Sequence, residues 1–216
     1  MMNRRASSRR ERSAGSEMSR SSKRVPSSTS IIGSVTPCGL DRPVSRAPTA
    51  LLYPLGIDRT PAIADYRAAI GHFASGVTVV TSEGMRGPAG LTANAVCSLS
   101  LDPLLMVVCI DTGSRTLEAI RHSRRLAVNV LAGDQQRLAS TFAGKEPERD
   151  KFAGVAHTHV DGVPVLDGVV SWLTGRLREL APGGDHVIGI AEVERVGAPG
   201  GGPLVYFRGS YHTLSE

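Results

Sequence analysis

The chain has 216 residues, 41% of them hydrophobic, which is room for one good-sized domain, or one domain and a tail. Its formal net charge of +5 is unevenly spread: residues 1–60 hold 11 Lys/Arg against 4 Asp/Glu, and residues 61–216 hold 14 against 16. The bulk is mildly acidic, which excludes a basic nucleic-acid face outside an N-terminal arm, and no apolar run reaches membrane-spanning length.

Residues 1–58 are rich in Ser, Arg and Pro and lack sustained periodicity, so they read as a disordered basic tail ahead of a domain over 59–216. The tail has arginines but no apolar core of the kind a secretory signal needs. Thr60-Pro61 reads as an N-cap followed by Pro at the first helical position, and Ile63, Tyr66, Ile70 and Phe73 then repeat at helical spacing. Val77–Thr81 is β-branched and reads as a strand, and Glu83–Pro88 as a turn into a hairpin partner.

That partner, Gly90–Pro103, is the most informative stretch. Leu91, Ala93, Ala95, Cys97, Leu99 and Leu101 alternate with Thr92, Asn94, Val96, Ser98 and Ser100. A strand facing water usually carries long charged residues. This one carries short neutral hydrogen-bonding groups, which suit a flat polar ligand close to the backbone, or equally a face covered by a helix or a neighbouring subunit. Asp102-Pro103 ends it, and Leu104–Ile110 reads as a buried strand.

Asp111-Thr-Gly-Ser-Arg-Thr116 follows as a polar loop, with Ser114 as N-cap of a helix over 116–122. Free N–H groups and hydroxyls at such a start, with Arg115 beside them, form either an anion site or a simple capped turn. Leu126–Leu131 reads as a strand, Asp134 as the cap of a helix through Thr141, Glu146–Phe152 as a charged helix or turn, and Gly162–Gly168 as a loop. Strands follow over 171–180, 187–196 and 204–211, the first two joined by a turn at Pro182–His186 whose tip presents His186. Long strands with hairpin turns and few short helices read as an antiparallel barrel.

Several chemistries find no support. No GxGxxG follows a strand into a helix, no P-loop is present, and no Ser sits in a nucleophile elbow. His157 and His159 would share one strand face but lack a third ligand, so no metal site is expected. Cys38, Cys97 and Cys109 form no CxxC and cannot all pair, which fits free thiols in a cytoplasmic protein.

The assembled motifs resemble the flavin reductase domain family, the FMN-binding split barrels that serve as reductase components of two-component flavin monooxygenases. The resemblance runs from Tyr66 to the C-terminus through Phe73–Thr81, Gly90–Pro103, Ser114-Arg-Thr116, Leu126–Leu131, Gly162–Leu166, Gly184-Asp-His186 and Pro203–Tyr211. It implies a mainly β fold, an antiparallel split β-barrel with short flanking helices. It also implies an NAD(P)H:flavin oxidoreductase using FMN or FAD with NADH or NADPH, a homodimer, and a separate monooxygenase partner. By the same resemblance Thr92, Asn94, Ala95, Val96, Cys97 and Ser98 line the flavin, with Cys97 where a hydroxyl residue is common. Asp111, Ser114, Arg115 and Thr116 hold its phosphate end, and Phe142 lies near its edge. Gly184, Asp185 and His186 meet the nicotinamide, with His186 as the catalytic candidate. Alternatives are a flavoprotein that keeps FMN and reduces another acceptor, or a non-catalytic flavin-binding module.

Overall fold

The computed structural model describes residues 60–214; the expectations for residues 1–58 and for Cys38 lie outside them. In chain order the elements are α1 (Ile63–Ile70), β1 (Ser75–Gly76), β2 (Thr78–Gly84), β3 (Gly87–Ala93), β4 (Val96–Leu101), β5 (Leu104–Asp111) and α2 (Arg115–Ser123). Then come β6 (Arg125–Val130), α3 (Gln136–Ala143), α4 (Glu148–Lys151), β7 (His157–Val160), β8 (Val163–Leu166), β9 (Ser171–Gly183), β10 (His186–Gly197), β11 (Leu204–Phe207) and β12 (Ser210–Thr213). The fold is mainly β and its strand pairs are antiparallel.

The main sheet has seven strands in the order β3-β2-β6-β9-β10-β5-β4. Its two edge strands, β3 and β4, are neighbours in the chain, separated only by Asn94 and Ala95. From Ala93 to Val96 is three Cα steps, at most about 11 Å of chain. A seven-stranded sheet whose opposite edges are joined by so short a link has to roll up, and the edges meet at Asn94–Ala95. There the Cys109 N–H donates to the Ala95 carbonyl (2.9 Å) and the Val96 N–H to the Asn94 carbonyl (3.0 Å), while the Thr78 hydroxyl donates to the Ala93 carbonyl (2.6 Å). The edges are not laddered to each other, so the barrel is split.

The expected single strand over 90–103 is therefore two strands on opposite edges. Period-2 alternation continues through the crossing because each half keeps its own inside and outside. The rolled interior is one core: Val80, Met106, Val108, Ile110, Leu126, Val128 and Leu177 from the strands meet Leu117 and Ile120 of α2. A second core on the outer face packs Val77, Val79 and Leu131 against Phe142, Phe152, Leu166 and Leu204.

Other expectations shift by tertiary context. The first helix starts after Ala62, with no side-chain cap from Thr60, and its apolar repeat is exposed: Ile63, Tyr66, Ile70 and Phe73 are all more than half open. The third helix is preceded by Gln135 rather than capped by Asp134; the Gln135 side chain instead accepts from the Ala132 N–H and donates to the Asp167 carbonyl. The 162–168 loop contains β8, whose four residues are all buried, its flanking glycines and internal Pro164 having masked an apolar run. The strand expected over 204–211 is the β11–β12 hairpin, turned at Arg208-Gly209, both with positive φ.

Candidate functional site

Three turns gather where β4, β5 and β10 share an end. Ala95, at the start of β4, bonds to Cys109, and two residues further on β5 delivers Asp111. Asp111 in turn lies opposite His186 on β10. The Thr112 N–H and hydroxyl both donate to the Asp185 carbonyl (3.1 Å each), tying the 111–114 turn to the β9–β10 hairpin. Within that turn the Gly113 N–H donates to Asp111 Oδ1 (2.7 Å) and the Ser114 N–H to the Asp111 carbonyl (3.0 Å). The expected Ser114 cap forms: its Oγ accepts from the Thr116 N–H at 3.1 Å.

Thr116 itself is fully buried, and its Oγ1 has no hydrogen-bond partner among the described residues. An orphaned hydroxyl in the first turn of a helix, next to a Ser cap, is placed to donate to an anion at the positive end of the helix dipole. Asn94, Val96, Cys97, Ser98 and Ser100 line a cavity of about 620 Å³, with Phe73–Gly76 across from them and Leu101, Leu104 and Val196 along its rim. That volume suits a drug-sized ligand, and its walls include no charged residue. The orphan donor at the helix start and the uncharged cleft that runs along β4 from Asn94 are separate features, one suited to an anion and the other to a flat ring, the two parts of a flavin mononucleotide.

On the third turn, His186 Nδ1 donates to Asp185 Oδ1 (2.7 Å). The histidine contact, first by hydrogen bonding and then by charge, lowers the Asp185 carboxyl pKa below its usual value. An ionised carboxylate on Nδ1 fixes the tautomer and leaves Nε2 for a ligand.

The structure does not gather every expected residue there. The Phe142 ring is 1% exposed and meets Phe152 edge-on, centroids 4.9 Å apart, so it belongs to the outer core. The Thr92 hydroxyl is engaged with the Ala139 carbonyl of α3 (2.6 Å). Arg115 turns away along α2: its Nε donates to Glu148 (3.1 Å) and its Nη2 to the carbonyls of Lys145 and Glu146. Glu148 was invisible as a site residue in the sequence, where it sat in a charged run. It accepts from the Gly90 N–H (2.9 Å) and pairs with Lys151 (3.4 Å), a lysine only 5% exposed that also reaches the Gly90 carbonyl (3.4 Å). Together they seal the outward groups of edge strand β3. His157 and His159 stack edge-on, with His159 on Glu83 (3.0 Å); among the described residues no three potential metal ligands cluster.

Fold and site define a class: an antiparallel rolled-sheet protein with a ligand-sized uncharged cleft and a Ser-capped helix start that carries an orphan hydroxyl. Within that class the sequence matches the flavin reductase like domain over residues 70–215, and the chain belongs to this family. It is 43% identical over 148 residues to the reductase component of 4-nitrophenol 4-monooxygenase/4-nitrocatechol 2-monooxygenase of Rhodococcus opacus, covering 68% of this chain and 79% of that protein. It is 38% identical to an NADH-dependent flavin reductase of a Rhodococcus species, covering 68% and 84%. Among solved structures it resembles the flavin reductase PheA2 in its native state (34% identity, 72% of this chain and all of that one, TM-score 0.66). It also resembles the Streptomyces globisporus NADH:FAD oxidoreductase SgcE6 in complex with NAD and FAD fragments (30% identity, 70% and 92%, TM-score 0.66).

Proposed function

We infer that the chain is an NADH-dependent flavin reductase that reduces FMN or another flavin and supplies it to a separate monooxygenase. One observation supports the reading: Ala95 at the β3–β4 crossing, the Asp111–Thr116 turn and the His186 hairpin lie at one end of β4, β5 and β10, and the uncharged cavity runs along β4 from Asn94 away from that end. The names of the relatives support it, since several are NADH-dependent flavin or FMN reductases and two are reductase components of monooxygenases.

A bound flavin supplies a two-electron acceptor for hydride from nicotinamide, so the protein contributes geometry and charge placement rather than a nucleophile. Asn94, Ala95, Val96, Cys97 and Ser98 hold the ring against the wall. Ser114 and Thr116, with the first-turn N–H groups of α2, hold the phosphate. His186, kept in one tautomer by Asp185, positions the nicotinamide through Nε2.

The working form is a homodimer. The apolar stripe of α1 faces solvent in one chain, as do Leu99 and the cavity-lining Phe73, Leu101, Leu104 and Val196, and a second copy would cover them. A cytoplasmic location is supported by Cys97 and Cys109, which form no disulfide among the described residues.

Steady-state NADH oxidation by the purified full chain tests the reading. Added FMN or FAD accelerates it; equal rates with and without flavin would overturn the assignment.

A further inference from the structure

The sequence places Arg115 directly after the Ser114 cap, at the head of α2, yet the folded chain engages its guanidinium elsewhere. The partner is Glu148 of the four-residue α4. Its Oε1 meets both Arg115 Nε (3.1 Å) and Lys151 Nζ (3.4 Å), and its Oε2 accepts from the Gly90 N–H (2.9 Å). The carbonyls of Lys145 and Glu146 accept from Arg115 Nη2. The two ends of this ion pair differ in freedom. The Arg115 side chain is 47% exposed and can change partners without opening the core, whereas Glu148 is 16% exposed and held by Gly90 and the buried Lys151. If Arg115 leaves, Glu148 still has Lys151, so the exchange strands no buried charge. A guanidinium pairs with a phosphate on the same terms as with a carboxylate, through charge-assisted hydrogen bonds. The buried Thr116 hydroxyl, unpartnered among the described residues, marks the head of α2 as the place for such an anion.

We propose that Glu148 is a positioning residue that holds Arg115 off the flavin phosphate, and that this competition keeps the flavin an exchangeable substrate. The inference rests on the flavin reading above and deepens it. The phosphate is gripped by neutral donors, the Ser114 and Thr116 hydroxyls and the N–H groups of the first turn, while the adjacent cation is occupied by a carboxylate. A reductase that supplies flavin to a separate oxygenase needs that loose grip, because a phosphate also clamped by a guanidinium leaves more slowly.

E148Q keeps an oxygen for the Gly90 N–H and removes the charge. It also leaves the buried Lys151 without its carboxylate, so E148Q/K151M is made beside it. The summed charge of positions 115, 148 and 151 in that double variant equals the wild type's, so a change in it reports the released guanidinium and not the net charge. Dissociation constants for FMN and riboflavin are read from quenching of flavin fluorescence, with no nicotinamide present. Both variants are expected to bind FMN about fivefold more tightly, and riboflavin, which lacks the phosphate, within about twofold of the wild type. Adding R115Q is expected to abolish the gain. Unchanged or weaker FMN binding in E148Q/K151M, an equal gain for riboflavin, or a gain that survives R115Q overturns the proposal and leaves the flavin reading standing. Inorganic phosphate supplies a readout without flavin: the rise in Tm it produces is expected to be larger in E148Q/K151M than in the wild type. A wild type that binds neither flavin overturns the flavin reading, and the phosphate-induced rise in Tm then decides whether Glu148 restrains Arg115 from an anion.

Discussion

At the scale of single residues, two side chains act on the proposed chemistry in opposite thermodynamic senses. The buried Thr116 hydroxyl has no partner among the described residues, so its desolvation is uncompensated until something accepts from it. Thr116→Val keeps the shape and removes the orphan. Thermal unfolding of the ligand-free variant is expected to show a gain of about 1 kcal/mol, while KM for FMN rises about fivefold and that for riboflavin, which lacks the phosphate, stays put. His186→Ala is expected to lower kcat/KM for NADH about tenfold, measured at saturating flavin. Asp185 adds a pH signature. Its pKa is lowered in the folded protein, so its contact with His186 is present above the ordinary carboxylate range and is lost only as pH falls through the lowered value. The acid limb of the kcat/KM profile for NADH therefore lies below the ordinary carboxylate range, and Asp185→Asn makes the wild-type constant fall at every pH above it.

At the scale of elements, edge strand β3 is held by side chains where another strand would otherwise sit. Glu148 takes the outward N–H of Gly90 and Lys151 its carbonyl, and Glu148 also anchors Arg115 at the head of α2. Gly90 has no alternative at that point. A Cβ there would lie 2.7 Å from Cε1 of Phe142, inside a ring packed against Phe152. Gly90→Ala is expected to cost about 2 kcal/mol in denaturant unfolding, since the Phe142 ring has no open space to move into. Because Gly90 lies four residues from Asn94, the same substitution is expected to raise KM for FMN.

At the scale of the whole molecule, the single chain leaves an apolar helix stripe and an apolar cavity rim exposed together. The proposed dimer joins them, so breaking it should also open the flavin cavity. Ile63→Asp combined with Tyr66→Asp is expected to halve the mass seen by sedimentation velocity and to weaken FMN binding. A wild-type chain that sediments as a monomer would contradict the proposed assembly.

Local chemistry was legible from the residues. The Ser114 cap, the tight hairpins after Gly84 and Gly183, and the alternation through 90–101 follow from short-range sterics and hydrogen bonding, which need only neighbours in the chain. The motif blocks, read together, pointed to the family. What the sequence could not reveal was placement. The alternating stretch is two strands on opposite edges because the sheet rolls, and rolling is a property of seven strands at once. Phe142 packs in the outer core, and Lys151 is buried although it sits in a charged run, because burial depends on which distant elements arrive on top. Hydrogen bonding along the backbone is decided locally. Which side chains share a cavity is decided by contacts between residues far apart in the chain, and only the tertiary structure contains those.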